Sequence, residues 1–223
     1  MAAVAVVLGA GSGERLGAPE PKAFLELGGS TLLQWAVRSA QSAATVDRVV
    51  AVVPGGFEDR ARSDLDGVGV VAGGSSRQAS VFAALRSLAS DAPDVVLCHD
   101  AARPFASHGL FDSVAGALGD AAGVVPVLPV ADTVKRVNGD LVLETVPREG
   151  LVLVQTPQAF RFGPLLGAHE RAVRESAGFT DDAALVEWAG GAIRTVPGER
   201  DNLKITTPRD LELARAIARM QDG

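Results

Sequence analysis

Residues 6–24 read VVLGAGSGERLGAPEPKAF: an apolar run opens into glycines at 9, 11 and 13, followed by Arg15 and Lys22. Glycines after a strand let the backbone approach an anion and point several N–H groups at it. The two cations beyond them add positive charge around the same group. A dinucleotide fingerprint, G-x-G-x-x-G, fails here because its last position holds Glu14. The strand ending near Val53-Pro54 offers no acidic residue for a ribose either. A P-loop, G-x-x-x-x-G-K-[ST], finds no register in this stretch. What remains is G-x-G-x-G-x-R with a lysine seven residues further on, a composition that fits a triphosphate held for chemistry at phosphorus.

A second candidate lies at 98–105, CHDAARPF. Asp100 follows a β-like run and is expected at the carboxyl edge of a sheet, where a carboxylate can hold Mg²⁺. Magnesium bridging phosphate oxygens would offset the repulsion met by an incoming anion. His99 reads as an orienting or packing residue and Cys98 as core. The chain contains no Ser-His-Asp arrangement or paired carboxylates, but it places Arg15, Lys22, Arg103 and Lys204 in loops. The chemistry implied is charge stabilisation, not acid–base catalysis. Of 21 basic residues only three are lysines, at 22, 135 and 204.

The elements that must position these residues alternate. Strands are expected at 3–8, 48–53, 68–72, 94–99 and 123–130, each a nearly continuous apolar run of the kind that is covered on both faces. Helices are expected at 31–43, capped by Ser30, at 76–89, and from about Thr207 with Pro208 in the first turn. This pattern implies an α/β, Rossmann-like, mostly parallel sheet with helices on both faces and ligands at the strands' carboxyl ends. One segment departs from it: in 131–150, two β-prone runs flank Asn138-Gly139, a strong hairpin signal. A lone hairpin is marginal in water, so it must pack on its own domain or on another chain. The whole chain, 1–223, reads as one domain carrying this arm.

At 223 residues the chain can bury a full core. A net charge of −6 argues against nucleic-acid binding or a basic membrane patch, so functional positive charge must be local. The first apolar run lacks a basic leader and is too short to span a bilayer. With a single cysteine, a cytoplasmic setting is expected.

The glycine loop resembles the signature loop of nucleotidyltransferases, and within them the 2-C-methyl-D-erythritol 4-phosphate cytidylyltransferase family. Further matches run in the family's order: 73-GGSSRQASV-81, 98-CHDAARPF-105, 132-DTVKR-136, 155-QTPQAF-160, 180-TDDAALVE-187 and 201-DNLKIT-206. Two positions depart from its usual pattern: Leu8-Gly9 replaces Pro-Ala, and Ser75 stands where an acidic residue is common. The resemblance implies transfer of CMP from CTP to 2-C-methyl-D-erythritol 4-phosphate, or, in the nearest rival, to ribitol 5-phosphate. It implies that Gly9, Ala10, Gly11, Gly13, Gly74, Arg77, Ser80 and Ala101 bind the nucleotide and Asp100 the Mg²⁺. Arg15 and Lys22 would stabilise the five-coordinate α-phosphate. Arg103, Thr133, Thr156 and Thr180 would orient the acceptor, with Arg148 and Lys204 holding its phosphate. The arm would exchange with a second copy, making a homodimer that borrows Arg148 across the interface. A non-catalytic nucleotide sensor and an NAD-dependent dehydrogenase are the other classes weighed, disfavoured by the intact cations and by Glu14. Because the chain ends at Gly223, the cyclodiphosphate synthase domain fused to some members is expected to be absent.

Overall fold

The computed structural model describes residues 1–11, 13, 17 and 20–221. Strand β1 (Ala3–Leu8) is followed by a short hairpin, β2 (Glu26–Leu27) and β3 (Ser30–Thr31), and helix α1 (Leu32–Gln41). Next come β4 (Arg48–Val53), α2 (Glu58–Asp64), β5 (Gly69–Ala72), α3 (Arg77–Leu88), β6 (Val95–Asp100) and α4 (His108–Gly116). The second half holds β7 (Gly123–Pro129), β8 (Val134–Asn138), β9 (Leu141–Val146), β10 (Val152–Val154) and β11 (Gln158–Arg161). It closes with α5 (Phe162–Glu175), α6 (Asp182–Trp188), β12 (Ile193–Pro197) and α7 (Pro208–Gln221). Among the described residues no helix is long and apolar enough to cross a membrane.

The apolar strands lie where the sequence places them, because a strand buried on both faces needs no polar alternation. Odd residues of β1 (Ala3, Ala5, Val7) pack with Leu33, Val37 and Phe111 from α1 and α4 on one face. Even residues (Val4, Val6) pack with Val81, Leu85 and Leu165 from α3 and α5 on the other. The cap of α1 is Thr31, not Ser30. Its hydroxyl accepts from the Gln34 N–H, and the Gln34 side chain accepts from the Thr31 N–H, a capping box. Ser30 is instead paired in the β2–β3 hairpin.

The main sheet runs β5-β4-β1-β6-β11-β7, with β12 along the far edge of β7. β1, β4, β5 and β6 are mutually parallel, and β11 enters antiparallel between β6 and β7. Strands β10 and β11 pair with the same side of β7, opposite β12: Val154 faces Val127 and Ala159 faces Val124. The register slips by two residues between them, so they are one strand interrupted at 155–157. That interruption lies beside the end of β6.

β8 and β9 pair with each other in a separate ribbon. Asn138 faces Leu141, so the turn is Gly139-Asp140, with Gly139 at φ +60°. This is one residue later than an Asn-Gly turn, and an irregularity between Arg136 and Val137 accompanies it. The ribbon is exposed along its length, with Leu141, Val142 and Leu143 at 67%, 60% and 58% exposure.

Candidate active site

Four backbone hydrogen bonds carry the sheet's order past the strand ends into the loops. Gly9 N–H donates to Val52 O (2.7 Å), Gly73 N–H to Val53 O (2.8 Å), Ala101 N–H to Leu8 O (3.0 Å) and Ile205 N–H to Ala102 O (2.8 Å). Together these loops enclose a cleft of about 480 Å³ at the carboxyl ends of β1 and β6. Leu8 to Gly11 form one wall, Gly74 to Arg77 with Ser80 another, and Asp100 to Ala102, Lys22 and Lys204 complete it. Gly13 has φ +68°, and a Cβ there would lie 2.7 Å from the Lys22 Cβ, so Gly13 sits tightly against the lysine. Lys22 in turn donates to Ile205 O at 3.1 Å, which brings it next to Lys204. Among the described lining residues, three cations face one carboxylate in a chain of net charge −6. A polyanionic ligand is what such a cleft attracts.

The carboxylate is Asp100, the last residue of β6. Arg77 Nε donates to its Oδ1 at 3.3 Å, and Lys204 Nζ lies 2.7 Å from its Oδ2. Burial opposes its charge, but Arg77 and Lys204 outweigh that and hold the carboxyl well below the usual carboxylate range. Arg77 opens α3 and reaches a second buried carboxylate, donating from Nη1 to Asp182 Oδ2 at 2.7 Å. Burial disfavours the guanidinium's charge, yet Asp182 and Asp100 together raise its pKa. Asp182 Oδ1 lies 3.4 Å from His169 Nε2, within ion-pair range but without hydrogen-bond geometry. Five ionisable side chains therefore form a row from the cleft into the core: Lys204, Asp100, Arg77, Asp182 and His169.

Behind Asp100, the interrupted strand supplies Thr156. Its hydroxyl accepts from the Asp100 N–H (3.0 Å) and lies 3.1 Å from His99 Nδ1. Its own proton is thus donated to Nδ1, leaving Nε2–H of His99 to donate to Arg103 O at 3.1 Å. Burial pushes the pKa of His99 down to about 4, so the ring is neutral and structural at neutral pH. Asn202, fully buried, donates to Thr156 O (2.9 Å), and Arg103 Nη1 donates to Asn202 O (2.7 Å). These bonds strap the 201–206 segment over the end of β6 and deliver Lys204 to Asp100.

Of the residues singled out from the sequence, Gly9, Ala10, Gly11, Lys22, Gly74, Arg77, Ser80, Asp100, Ala101 and Lys204 meet at this cleft. Gly13 adjoins it through Lys22. Arg15 lies outside the described residues. Arg103 and Thr156 stand behind the cleft: Arg103 Nη1 is committed to Asn202 O while its Nε is buried without a partner, and the Thr156 hydroxyl is committed to Asp100 and His99. Thr180 is exposed beside the cap of α6. Thr133 and Arg148 are exposed at the base of the ribbon, where Arg148 donates to Ala131 O. Sequence reasoning misses Asp182, His169 and Asn202. Asp182 is inside a quoted motif, but nothing in its spacing points to Arg77, 105 residues away.

A family model described as 2-C-methyl-D-erythritol 4-phosphate cytidylyltransferase matches residues 3–220. The sequence is 45% identical over 216 residues to the 2-C-methyl-D-erythritol 4-phosphate cytidylyltransferase of Frankia casuarinae, covering 96% of this chain and 80% of that one. It is 42% identical over 220 residues to the bifunctional enzyme IspD/IspF of Rhizobium rhizogenes, covering 94% of this chain and 54% of that one. The chain thus spans about half the length of the bifunctional relatives it matches. The crystal structure of 2-C-methyl-D-erythritol 4-phosphate cytidylyltransferase from Thermus thermophilus aligns with a TM-score of 0.83 at 40% identity, over 98% of this chain and 100% of that one. Sequence motifs, sheet order and the likeness of whole chains agree, and this chain belongs to the 2-C-methyl-D-erythritol 4-phosphate cytidylyltransferase family.

Proposed function

We propose that the chain transfers the cytidylyl group of CTP to 2-C-methyl-D-erythritol 4-phosphate, giving 4-diphosphocytidyl-2-C-methyl-D-erythritol and pyrophosphate, a step of non-mevalonate isoprenoid precursor synthesis. The observation that carries this reading is the gathering of Lys22, Arg77 and Lys204 around Asp100 beside the glycine loop. The acceptor phosphate, with a second pKa of about 6, is mostly a dianion at neutral pH and needs no general base. Its oxygen bonds to the α-phosphorus as the bond to pyrophosphate breaks. Lys22, with Arg15, stabilises the charge on the five-coordinate phosphorus, and Lys204 with Arg148 holds the acceptor phosphate in line. Gly74, Ser80 and the backbone near Ala10 take the nucleoside.

Among the described residues, Asp100 is the one carboxylate lining the cleft, and no group of three His, Cys, Asp or Glu could hold a metal. One carboxylate together with substrate phosphates is the usual setting for Mg²⁺, so Asp100 fits an ion delivered with the triphosphate. That ion, when bound, supplies charge neutralisation across the phosphates. Thr156 serves the site by orienting Asp100 through its backbone N–H.

Thr133 and Arg148 complete a site only if the arm reaches a second copy. The exposed Leu141, Val142, Leu143 and Leu153 support such an exchange. The cell compartment we assign is the cytoplasm, in keeping with the single, buried Cys98. Pyrophosphate release from CTP and Mg²⁺ with each acceptor tests the activity. Turnover is expected with methylerythritol phosphate; turnover only with ribitol 5-phosphate would replace the acceptor, and none with either would defeat the reading. Mixing inactive Lys22→Ala and Arg148→Ala chains tests the shared site: random exchange should restore about a quarter of wild-type activity, one intact site in half the dimers.

A further inference from the structure

Asp182 lies in the 180–187 motif, of which the family resemblance assigns a role only to Thr180. It is 1% exposed and does not cap α6, since Asp181 accepts the capping hydrogen bond from the Ala184 N–H. A buried carboxylate without such a duty is costly unless paired. Both of its oxygens are engaged, one by Arg77 at 2.7 Å and one facing His169 at 3.4 Å, and the His169 ring is itself stacked on Phe82.

The two cations on Asp100 are unequal. Lys204 has a side chain 42% exposed and can withdraw into solvent. Arg77 is 25% exposed, and its shorter contact is to Asp182, not to Asp100. Resting on the nucleotide–metal reading above, we propose that Asp182, backed by His169, is a positioning residue. It anchors Arg77 so that Asp100 releases Lys204 and takes a divalent cation while keeping its orientation. Without the Asp182 charge, Arg77 has Asp100 as its remaining carboxylate partner and holds it more tightly, in competition with the ion.

The test compares Asp182→Asn and His169→Gln with wild type. Mn²⁺ binding in the presence of CTP is read by electron paramagnetic resonance, alongside turnover, CTP affinity and melting temperature. For Asp182→Asn, Mn²⁺ affinity should fall about 10–100-fold, as for other groups that orient a metal ligand. KM for CTP at saturating Mg²⁺ should stay at its wild-type value. His169→Gln, which keeps a polar but uncharged side chain beside Asp182, should move Mn²⁺ affinity in the same direction by less, and it decides the matter if Asp182→Asn does not fold. Folded variants with wild-type Mn²⁺ affinity would overturn the proposal, as would a loss confined to KM for CTP. Wild-type chain that binds Mn²⁺ with CTP yet releases no pyrophosphate would defeat the proposed activity while leaving this comparison readable.

Discussion

A methyl group added at Gly73 tests whether the two walls of the cleft are mechanically joined. A Cβ at this position would lie 2.3 Å from the Ala10 Cβ and 3.0 Å from Ser80 Oγ, whereas ordinary contact begins at 3.4 Å. The Ala10 methyl must therefore retreat by about 1 Å, in a loop whose neighbour Gly9 is hydrogen-bonded to Val52 O. Overpacking of this kind costs about 1–3 kcal/mol of stability. Displacing a phosphate-positioning loop by about 1 Å costs on the order of 10²-fold in rate. In Gly73→Ala, kcat/KM for pyrophosphate release should fall by that order, with weakened CTP binding by calorimetry. The double variant Gly73→Ala/Ala10→Gly removes the clashing methyl and should recover most of both losses, a coupling of about 1–3 kcal/mol in the cycle. Wild-type kinetics in the single variant, or simple additivity in the double, would refute the contact as the cause.

Lys204→Met should lower kcat/KM about 10²–10³-fold with little change in melting temperature, because the lysine side chain is 42% exposed; a large stability loss would show its role to be structural. Thr156→Val leaves the buried Asp100 N–H and His99 Nδ1 without their partner and should cost about 1–3 kcal/mol per group in urea denaturation. An unchanged midpoint would contradict the network. For His99, the folded pKa of about 4 lies below the unfolded value of about 6.5. The unfolded chain then binds the extra proton, so this stability is complete above about pH 6.5 and is lost as pH falls toward 4. The loss amounts to about 3 kcal/mol. His99→Gln should flatten that part of the profile, and an unaltered slope between about pH 7 and 4 would assign it elsewhere.

The legible part of this molecule is the part governed by local rules. Both faces of β1, β4 and β6 are buried, so their Val-rich runs read as central strands. The glycines and Lys22 carry chemistry that their spacing suggests, and Asp100 carries chemistry that its place at a strand end suggests. The antiparallel β10–β11 strand is not legible: its pieces are three and four residues long and are broken around Pro157. Thr156 is expected as an acceptor ligand through the family resemblance alone; only the fold shows its hydroxyl bound to Asp100 and His99. The Arg77–Asp182 pair depends on α3 and α6 packing beside the same sheet face, a long-range fact that no sequence window contains.

The arm leaves and re-enters the sheet at a paired position, for Pro129 at the end of β7 faces Val152 at the start of β10. Whatever hangs between them is a closed insertion, and lengthening a closed loop costs only about 0.6 kcal/mol per doubling. The body can therefore tolerate shortening, grafting or replacement of residues 131–150 without loss of register. Changes in the ribbon would cost the roles proposed for Thr133 and Arg148, while the sheet beneath it keeps its pairing.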